Sequence, residues 1–347
     1  MKKSLLALAV LGAFAGVAQA QTSVTIYGSF DGGVRYLNHA NAAGDALWTQ
    51  SSTGTYNSNR LGFKGVEDLG GGLNAHFNLE QRFNGGDGSQ AGVLFNGAAY
   101  VGMGGAWGSV DLGRQYSANF KVIGLYDPFN YKYTGIDPLA TQGGLTRLNN
   151  DIQYTGVFGP VTAYAEHAFG EVAGSASNGS TNAVGLAYNN GPLAVGGAYT
   201  AGKRNVGAVP TQQNLTNWTL GGAYKFGAAR VTLGYADSKQ EQAAGVADVR
   251  NKNAWVGLGY DISPALALTA GYFDTKFQGL VGGDGKRQML LVGGTYALSK
   301  RTNFYADIDT TRFKDAAIGS AAAQISAQVP SASDRTTGVS VGINHLF

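Results

Sequence analysis

Gly185-Leu-Ala-Tyr188, Gly221-Gly-Ala-Tyr224, Gly257-Leu-Gly-Tyr260 and Gly293-Gly-Thr-Tyr296 are four versions of one short pattern, and their tyrosines fall 36 residues apart each time. Turn residues follow each tyrosine within four positions: Asn190-Gly191-Pro192, Gly227, Ser263-Pro264 and Ser299. Alternating apolar and polar residues precede every tyrosine and resume after every turn. The unit is therefore two strands, one tight turn and one longer connection, a β-hairpin used repeatedly. A propeller blade or a solenoid coil could share the period. The facing of the apolar residues and the ends of the chain separate those architectures from a barrel.

The alternation extends well beyond the repeats. Val24, Ile26, Phe30, Val34 and Tyr36 share one face of the first strand, and Thr25, Ser29, Asp31 and Arg35 share the other. Leu73, Phe77, Leu79 and Phe83 likewise oppose Asn74, His76, Asn78, Glu80 and Arg82. Trp218, Leu220, Tyr224 and Phe226 oppose Thr219 and Lys225, and Val339, Val341, Ile343 and Phe347 oppose Ser340 and Asn344. Two-faced strands also suit a soluble sandwich, so length and connections decide. The strands run about ten residues, enough for a tilted membrane crossing and long for a soluble strand.

Tight connections are expected near Gly70–Gly72, Gly104–Ala106, Gly159–Pro160, Asn190–Pro192, Gly227–Ala228, Ser263–Pro264 and Ser299–Arg301. Long ones cover 38–58, 84–93, 115–148, 170–181, 201–215, 238–250, 277–286 and 313–335. Together they join sixteen strands, with short turns at one rim and long loops at the other. Closure would satisfy every backbone N–H and C=O within lipid. The repeat tyrosines, with Tyr199, Tyr235 and Tyr272 near the opposite strand ends, match the aromatic girdles of a membrane barrel. The fold class that follows is all-β, a 16-stranded antiparallel transmembrane β-barrel.

Composition agrees with export and with lipid contact. Lys2 and Lys3, the apolar run Leu5 to Val17 and Ala18-Gln19-Ala20 read as a signal peptide over residues 1–20, leaving a barrel over 21–347. The mature chain then has 23 Lys+Arg against 22 Asp+Glu, a net charge of +1 that gives no nucleic-acid footprint. There is no cysteine, hence neither disulfide nor thiolate metal site. Charged residues make up 14%, well under the roughly 25% usual for a water-covered surface. Something other than water should cover part of this surface.

Catalytic chemistry is hard to find. His39, His76, His167 and His345 show no ligand spacing, and no strained nucleophile motif is present. The Gly70–Gly72 run sits in a turn with no helix after it, so it cannot cradle phosphate. No enzyme activity, cofactor or metal is expected. A sixteen-strand barrel is too wide for its side chains to fill and leaves an aqueous channel. The stretch 115–148, carrying Tyr126-Asp127-Pro128-Phe129 and Asp137-Pro138, is long enough to fold inward and narrow it.

These residues also carry a resemblance. Ser23-Val-Thr-Ile-Tyr-Gly28, Asn59-Arg-Leu-Gly-Phe-Lys-Gly65 with Glu67-Asp-Leu-Gly70, Tyr100-Val-Gly102, Trp107-Gly-Ser-Val-Asp-Leu-Gly-Arg-Gln-Tyr116, Asp127-Pro-Phe129 and the terminal His345-Leu-Phe347 resemble the general diffusion porins of Gram-negative bacteria. The likeness is greatest to their β-proteobacterial branch and spans the mature chain. It implies a homotrimer of barrels in the outer membrane, each with its third long loop bent into the pore. It also implies a basic wall facing acidic loop residues, and a final aromatic, Phe347, read by the outer-membrane assembly machinery. Arg60 matches a wall arginine of the family and shares the lumen with Lys64; Arg147, just after the loop, is a second match. Arg35 and Arg82 face the lumen by alternation, and Asp127 and Asp137 are the loop's acids. Gly97 stands where the family often has arginine, which lowers the expected wall charge.

The expected function is a water-filled channel for passive diffusion of small hydrophilic solutes and ions, mildly anion-preferring because its wall cations outnumber nearby acids. One alternative is a sugar-specific porin with Tyr126, Phe129, Tyr131 and Tyr133 as an aromatic track. Another is an adhesin or receptor that works through its loops. Homotrimer partners and outer-membrane lipid complete the expected surroundings.

Overall fold

The structure, a computed structural model, describes residues 23–50, 54–133, 146–205, 212–324 and 333–347. The reading of residues 1–20 as a signal peptide and the placement of Asp137 lie outside the described residues. The strands are β1 (Ser23–Leu37), β2 (Leu47–Gln50), β3 (Arg60–Gly70), β4 (Leu73–Arg82), β5 (Ala98–Gly105) and β6 (Gly108–Tyr116). They continue with β7 (Arg147–Phe158), β8 (Val161–Ala168), β9 (Thr181–Asn190), β10 (Leu193–Asn205), β11 (Gln212–Phe226) and β12 (Ala229–Gln240). The last five are β13 (Val249–Asp261), β14 (Leu266–Leu280), β15 (Gly283–Ala297), β16 (Thr302–Asp315) and β17 (Arg335–Leu346). β2 is a four-residue strand laid against the far end of β1, Leu47–Gln50 opposite Val34–Leu37. The other sixteen pair antiparallel with their neighbours, and β17 returns to β1, so the sheet closes into a 16-stranded barrel.

The closing seam depends on the chain's last residue. Ser23–Ser29 of β1 lie against β3, and Ser29–Leu37 lie against β17. Gly28 N–H donates to the Phe347 carbonyl at 3.0 Å, and Phe347 N–H donates back to the Gly28 carbonyl at 3.2 Å. The Phe347 ring covers Gly28, where a Cβ would stand 2.3 Å from the ring's Cζ. The seam therefore combines a terminal aromatic with a partner that has no side chain.

Each strand divides its residues between lipid and lumen as the period of two requires. Leu220, Phe226, Leu233, Leu258, Tyr260 and Val341 are exposed on the outside, while Asn217, Thr219, Asn253, Thr275 and Ser340 are buried on the inner side. An apolar exterior with a polar interior inverts a soluble protein, and lipid supplies the missing apolar contact. The seven tight turns fall where the sequence places them. The connection expected as a long loop over 277–286 differs: β14 reaches Leu280 and β15 starts at Gly283, leaving a two-residue turn. Gly279, Gly282 and Gly283 adopt φ of 73°, 95° and 112°, left-handed backbone that lets the hairpin close with a bulge past Phe277.

Candidate functional site: the pore constriction

Between β6 and β7 the chain turns into the barrel. Ser117 caps a one-turn helix, α1 (Ala118–Ile123), accepting from Phe120 N–H at 3.2 Å, while Glu166 of β8 accepts from Ala118 N–H at 3.1 Å. Beyond Gly124 the loop presses against the inner wall through a line of side chains. Val122 and Ile123 are fully buried; the Tyr126 hydroxyl is 2.9 Å from Thr219 Oγ1, and Trp255 Nε1 donates to the Tyr126 carbonyl at 3.0 Å. Phe129 stacks near Phe273, and Tyr133 meets Tyr56 and Tyr305 edge-on. These contacts fix the loop along β9 to β16.

The loop seats itself on glycines. A Cβ at Gly221, Gly257, Gly271 or Gly293 would stand 2.3, 2.2, 2.6 and 2.5 Å from atoms of Tyr126, Pro128, Phe129 and Tyr133 respectively. The missing side chains make the room that these loop residues occupy.

Arginines gather on β3, β4 and β7. Arg60 and Arg82 are direct cross-strand partners on β3 and β4. Arg82 Nη2 and Arg147 Nη2 both donate to the Tyr116 hydroxyl at 2.6 Å, and the Arg147 guanidinium lies over the Tyr116 ring, 4.2 Å from its centre. From the loop, Lys132 Nζ donates to Asn57 Oδ1 at 2.7 Å, and Arg60 Nη2 donates to the same oxygen at 2.8 Å. Four cations thus share two neutral acceptors. Glu80 is the one carboxylate within ion-pair distance of this group among the described residues, 3.7 Å from Arg60 and 3.8 Å from Arg82. Burial, together with the nearby Arg60 and Arg82 charges, pulls the Lys132 amine down to about 8 although Asp31 opposes the shift. The ring of Tyr116 continues as a stack, 4.1 Å to Phe120 and 4.2 Å from there to Tyr131.

The other residues expected at the pore are distributed as follows. Lys64 is exposed on β3, its amine 5.4 Å from the centre of the Tyr27 ring. Arg35 is buried in the wall, 2.6 Å from Asp309 and 3.6 Å from Asp307, and so is neutralised away from the Arg60 group. Asp127 is fully buried inside the loop, accepting from Phe129 N–H at 3.1 Å and Tyr131 N–H at 2.7 Å. Burial pushes its carboxyl up to about 6, against the pull of those two amides and of Arg230. Asp127 organises the loop's turn and does not front the channel. Tyr126, Phe129 and Tyr133 are wedged against the wall, so of the proposed aromatic track only Tyr131 keeps an open edge.

Comparison with known proteins agrees with this geometry. The sequence profile of the Gram-negative porin family matches residues 7–316. The chain belongs to the Gram-negative porin family. It is 35% identical to outer membrane porin protein 32 of Delftia acidovorans and 32% identical to an outer membrane porin protein of Bordetella pertussis, each over the full length of both chains. The solved structure of an anion-selective porin from Comamonas acidovorans superposes with a TM-score of 0.81 at 30% identity, covering 94% of this chain and 100% of that one. OmpT of Vibrio cholerae, at 16% identity and a TM-score of 0.70, shares the fold. The protein is an outer-membrane porin, a channel for passive diffusion.

Two parts of the porin's constriction are not apparent from strand periodicity. Lys132 lies in the loop, whose path is set by tertiary anchoring. The Tyr116 hydroxyl acquires its role only when Arg82 and Arg147, 34 and 31 residues distant in sequence, converge on it. The sequence signal is Arg147 just after the loop; the structure sets it opposite Tyr116 in the β6–β7 register.

Proposed function

We propose that this porin conducts small hydrophilic solutes and ions with a mild preference for anions, set by Arg60, Arg82, Arg147 and Lys132. The grouping of four cations with one carboxylate, Glu80, in ion-pair reach carries this reading. Anions gain concentration and cations lose it in a passage bordered by such a ring, and low-dielectric walls strengthen the bias. The similar solved porin is described as anion-selective, which supports the same sign. No proton or bond is moved; the loop narrows the path and the cations weight the traffic. Gly97 fits a modest bias. A side chain there would project onto Glu80, with a Cβ 2.5 Å from its Oε1, and an arginine would add charge at the same level.

The related proposals concern assembly: removal of residues 1–20 on export, a homotrimer in outer-membrane lipid, and Phe347 as the residue the assembly machinery reads. The zero-current potential of single channels across a salt gradient tests the central reading. Anion preference with a large, sugar-insensitive conductance is expected; a cation-selective wild type would overturn the charge argument. Block by one sugar would favour the aromatic stack of Tyr116, Phe120 and Tyr131 as a binding track instead.

A further inference from the structure

Beneath the inward loop, toward the tight-turn rim, the inner wall carries a recess of about 280 Å³. Its floor is Gly259 of β13, which stands in register between Arg230 of β12 and Thr269 of β14. Gly293, the next glycine of that row beyond Thr269, lies under Tyr133, and Gly257, one step along the same face of β13, lies under Pro128. Gly259 has no such occupant. A Cβ built there meets nothing nearer than Thr269 Oγ1 at 3.7 Å. The loop therefore covers the glycines around this one and leaves it open, with a volume near the lower end of the roughly 300–1,000 Å³ of small-molecule sites.

Groups of both charges border the recess. Arg230 donates through Nη2 to the Leu125 carbonyl at 2.6 Å and through Nη1 to the Asp127 carbonyl at 3.4 Å, and its fork still has N–H groups to give. Lys132 enters from the loop, its amine already donating to Asn57 Oδ1. Asp261 lies two residues beyond Gly259 on the same face, about 7 Å along the strand. Its ion-pair partner among the described residues is Lys225 at 3.6 Å, and both side chains are 57% exposed, so the pair is weak and opens at little cost. Pro128 and Phe129 supply an apolar roof. Around Lys132 the residues Asn130, Tyr131 and Tyr133 hold φ of 50°, 59° and 71°, the kind of backbone strain that collects at ligand clamps.

We infer that the recess holds a small α-amino acid in its zwitterionic form. The carboxylate takes N–H groups of Arg230 and the Lys132 amine, the ammonium takes Asp261, and an apolar side chain lies under Pro128 and Phe129. An acid without the ammonium would be repelled by Asp261, and an amine without the carboxylate would be repelled by Arg230 and Lys132. Net charge gives a zwitterion no advantage at the constriction. The recess thus adds recognition of separated charges to a filter that acts on the sign of the net charge. The inference rests on the channel reading, which open-channel conductance and zero-current potential report in the same bilayers, independently of any binding.

The test records single channels in KCl at neutral pH while L-leucine is added at rising concentration, and counts interruptions of the current. The comparison solutes are 4-methylpentanoate, which lacks the ammonium, and 3-methylbutylamine, which lacks the carboxylate. With L-leucine the wild type should show interruptions that saturate in the millimolar range. Either analogue should give roughly tenfold fewer, since each leaves a charged group of the recess unanswered. Gly259→Val fills the recess and should remove the interruptions while the zero-current potential keeps its wild-type value. Asp261→Asn should bind L-leucine about tenfold more weakly and 4-methylpentanoate more tightly, because Lys225 is released. Asp261 is an exposed side chain at the rim, so this variant decides the matter even if Gly259→Val fails to assemble. Undiminished interruptions in Gly259→Val, unchanged L-leucine binding in Asp261→Asn, or a wild type silent to L-leucine would each overturn the inference. Equal interruption of the wild type by 4-methylpentanoate would assign the recess to carboxylates at large and overturn the zwitterion.

Discussion

Replacing Arg60 by serine should weaken the anion preference without closing the channel. Arg60 has a quarter-exposed side chain that touches Asn57 and Glu80. Its loss lowers the local charge of the constriction from plus three to plus two, counting Arg60, Arg82, Arg147 and Lys132 against Glu80. For an ion passing at about 7 Å, one unit charge is worth roughly 0.6 kcal/mol in bulk-like water. Screening over a Debye length of about 8 Å reduces that to roughly 0.25 kcal/mol. Anions lose this attraction while cations lose an equal repulsion, so the anion-to-cation permeability ratio should fall about twofold, and further where the walls lower the effective dielectric. Conductance should rise slightly, because serine vacates part of the narrowest passage. The assay is the zero-current potential of single channels in a KCl gradient, repeated at high salt, where the difference should shrink. An unchanged potential at low salt would show that Arg60 does not act on the ion path, and an equal shift at all salt concentrations would refute an electrostatic origin.

Four further outcomes follow from the same geometry. Lys132 is protonated at neutral pH and loses its charge through about pH 8, so anion preference should decline as pH rises from 7 to 9; Lys132→Met should abolish that step and leave the arginine contribution, and a persisting step would place the titrating group elsewhere. Deleting Phe347, or replacing Gly28 by valine so that the ring has no seat, should reduce assembled barrel far more than Val281→Ser at an exposed hairpin tip; equal heat-resistant yields would count against the seam. Tyr126→Ala should remove the hydroxyl contact with Thr219 and the ring stacking on Trp255, giving larger and noisier openings with an intact β spectrum, and a quiet channel of wild-type size would refute the anchoring. Gly257→Val should push Pro128 off the wall and into the passage, lowering conductance; failure to form the barrel at all would mean that the glycine serves the wall and not the loop.

Strand periodicity made most of the barrel legible, because each residue of a membrane strand faces either lipid or water and its polarity records which. The seven tight turns were legible for a related reason: glycine, proline and serine interrupt the alternation there. The hairpin at Val281–Gly282 was less readable, since a glycine-rich stretch fits a loose loop as well as left-handed glycines closing a tight turn. Asp127 shows the limit within the constriction. An aspartate before proline in a loop inside a pore reads as a lumenal charge, yet here its two oxygens accept from Phe129 and Tyr131 amides in a fully buried turn. Its role depends on which way the loop folds, and that is decided by partners on β11 to β16. Arg35 makes the same point from the wall: alternation gives its face, but only the fold brings Asp307 and Asp309 beside it.

The four-residue repeat that reveals the barrel also explains the narrowing of its channel. In each copy the glycine precedes the tyrosine by three positions, an odd spacing that sends the two residues to opposite faces of the strand. The tyrosine goes to the outer surface near a tight turn, and the glycine goes to the lumen. Gly221, Gly257 and Gly293 lie under Tyr126, Pro128 and Tyr133 of the inward loop, and Gly185 lies 3.1 Å, measured from a built Cβ, from Val122. All four repeat glycines therefore meet the loop. A barrel with side chains at these positions would still satisfy its backbone hydrogen bonds, since closure does not depend on what projects inward. It would hold the loop off the wall, deeper in the passage and nearer the cations on the opposite side. Spacing that reads at first as a bare folding repeat thus fixes the loop's height, and through it the distance at which Arg60, Arg82, Arg147 and Lys132 act on a passing ion.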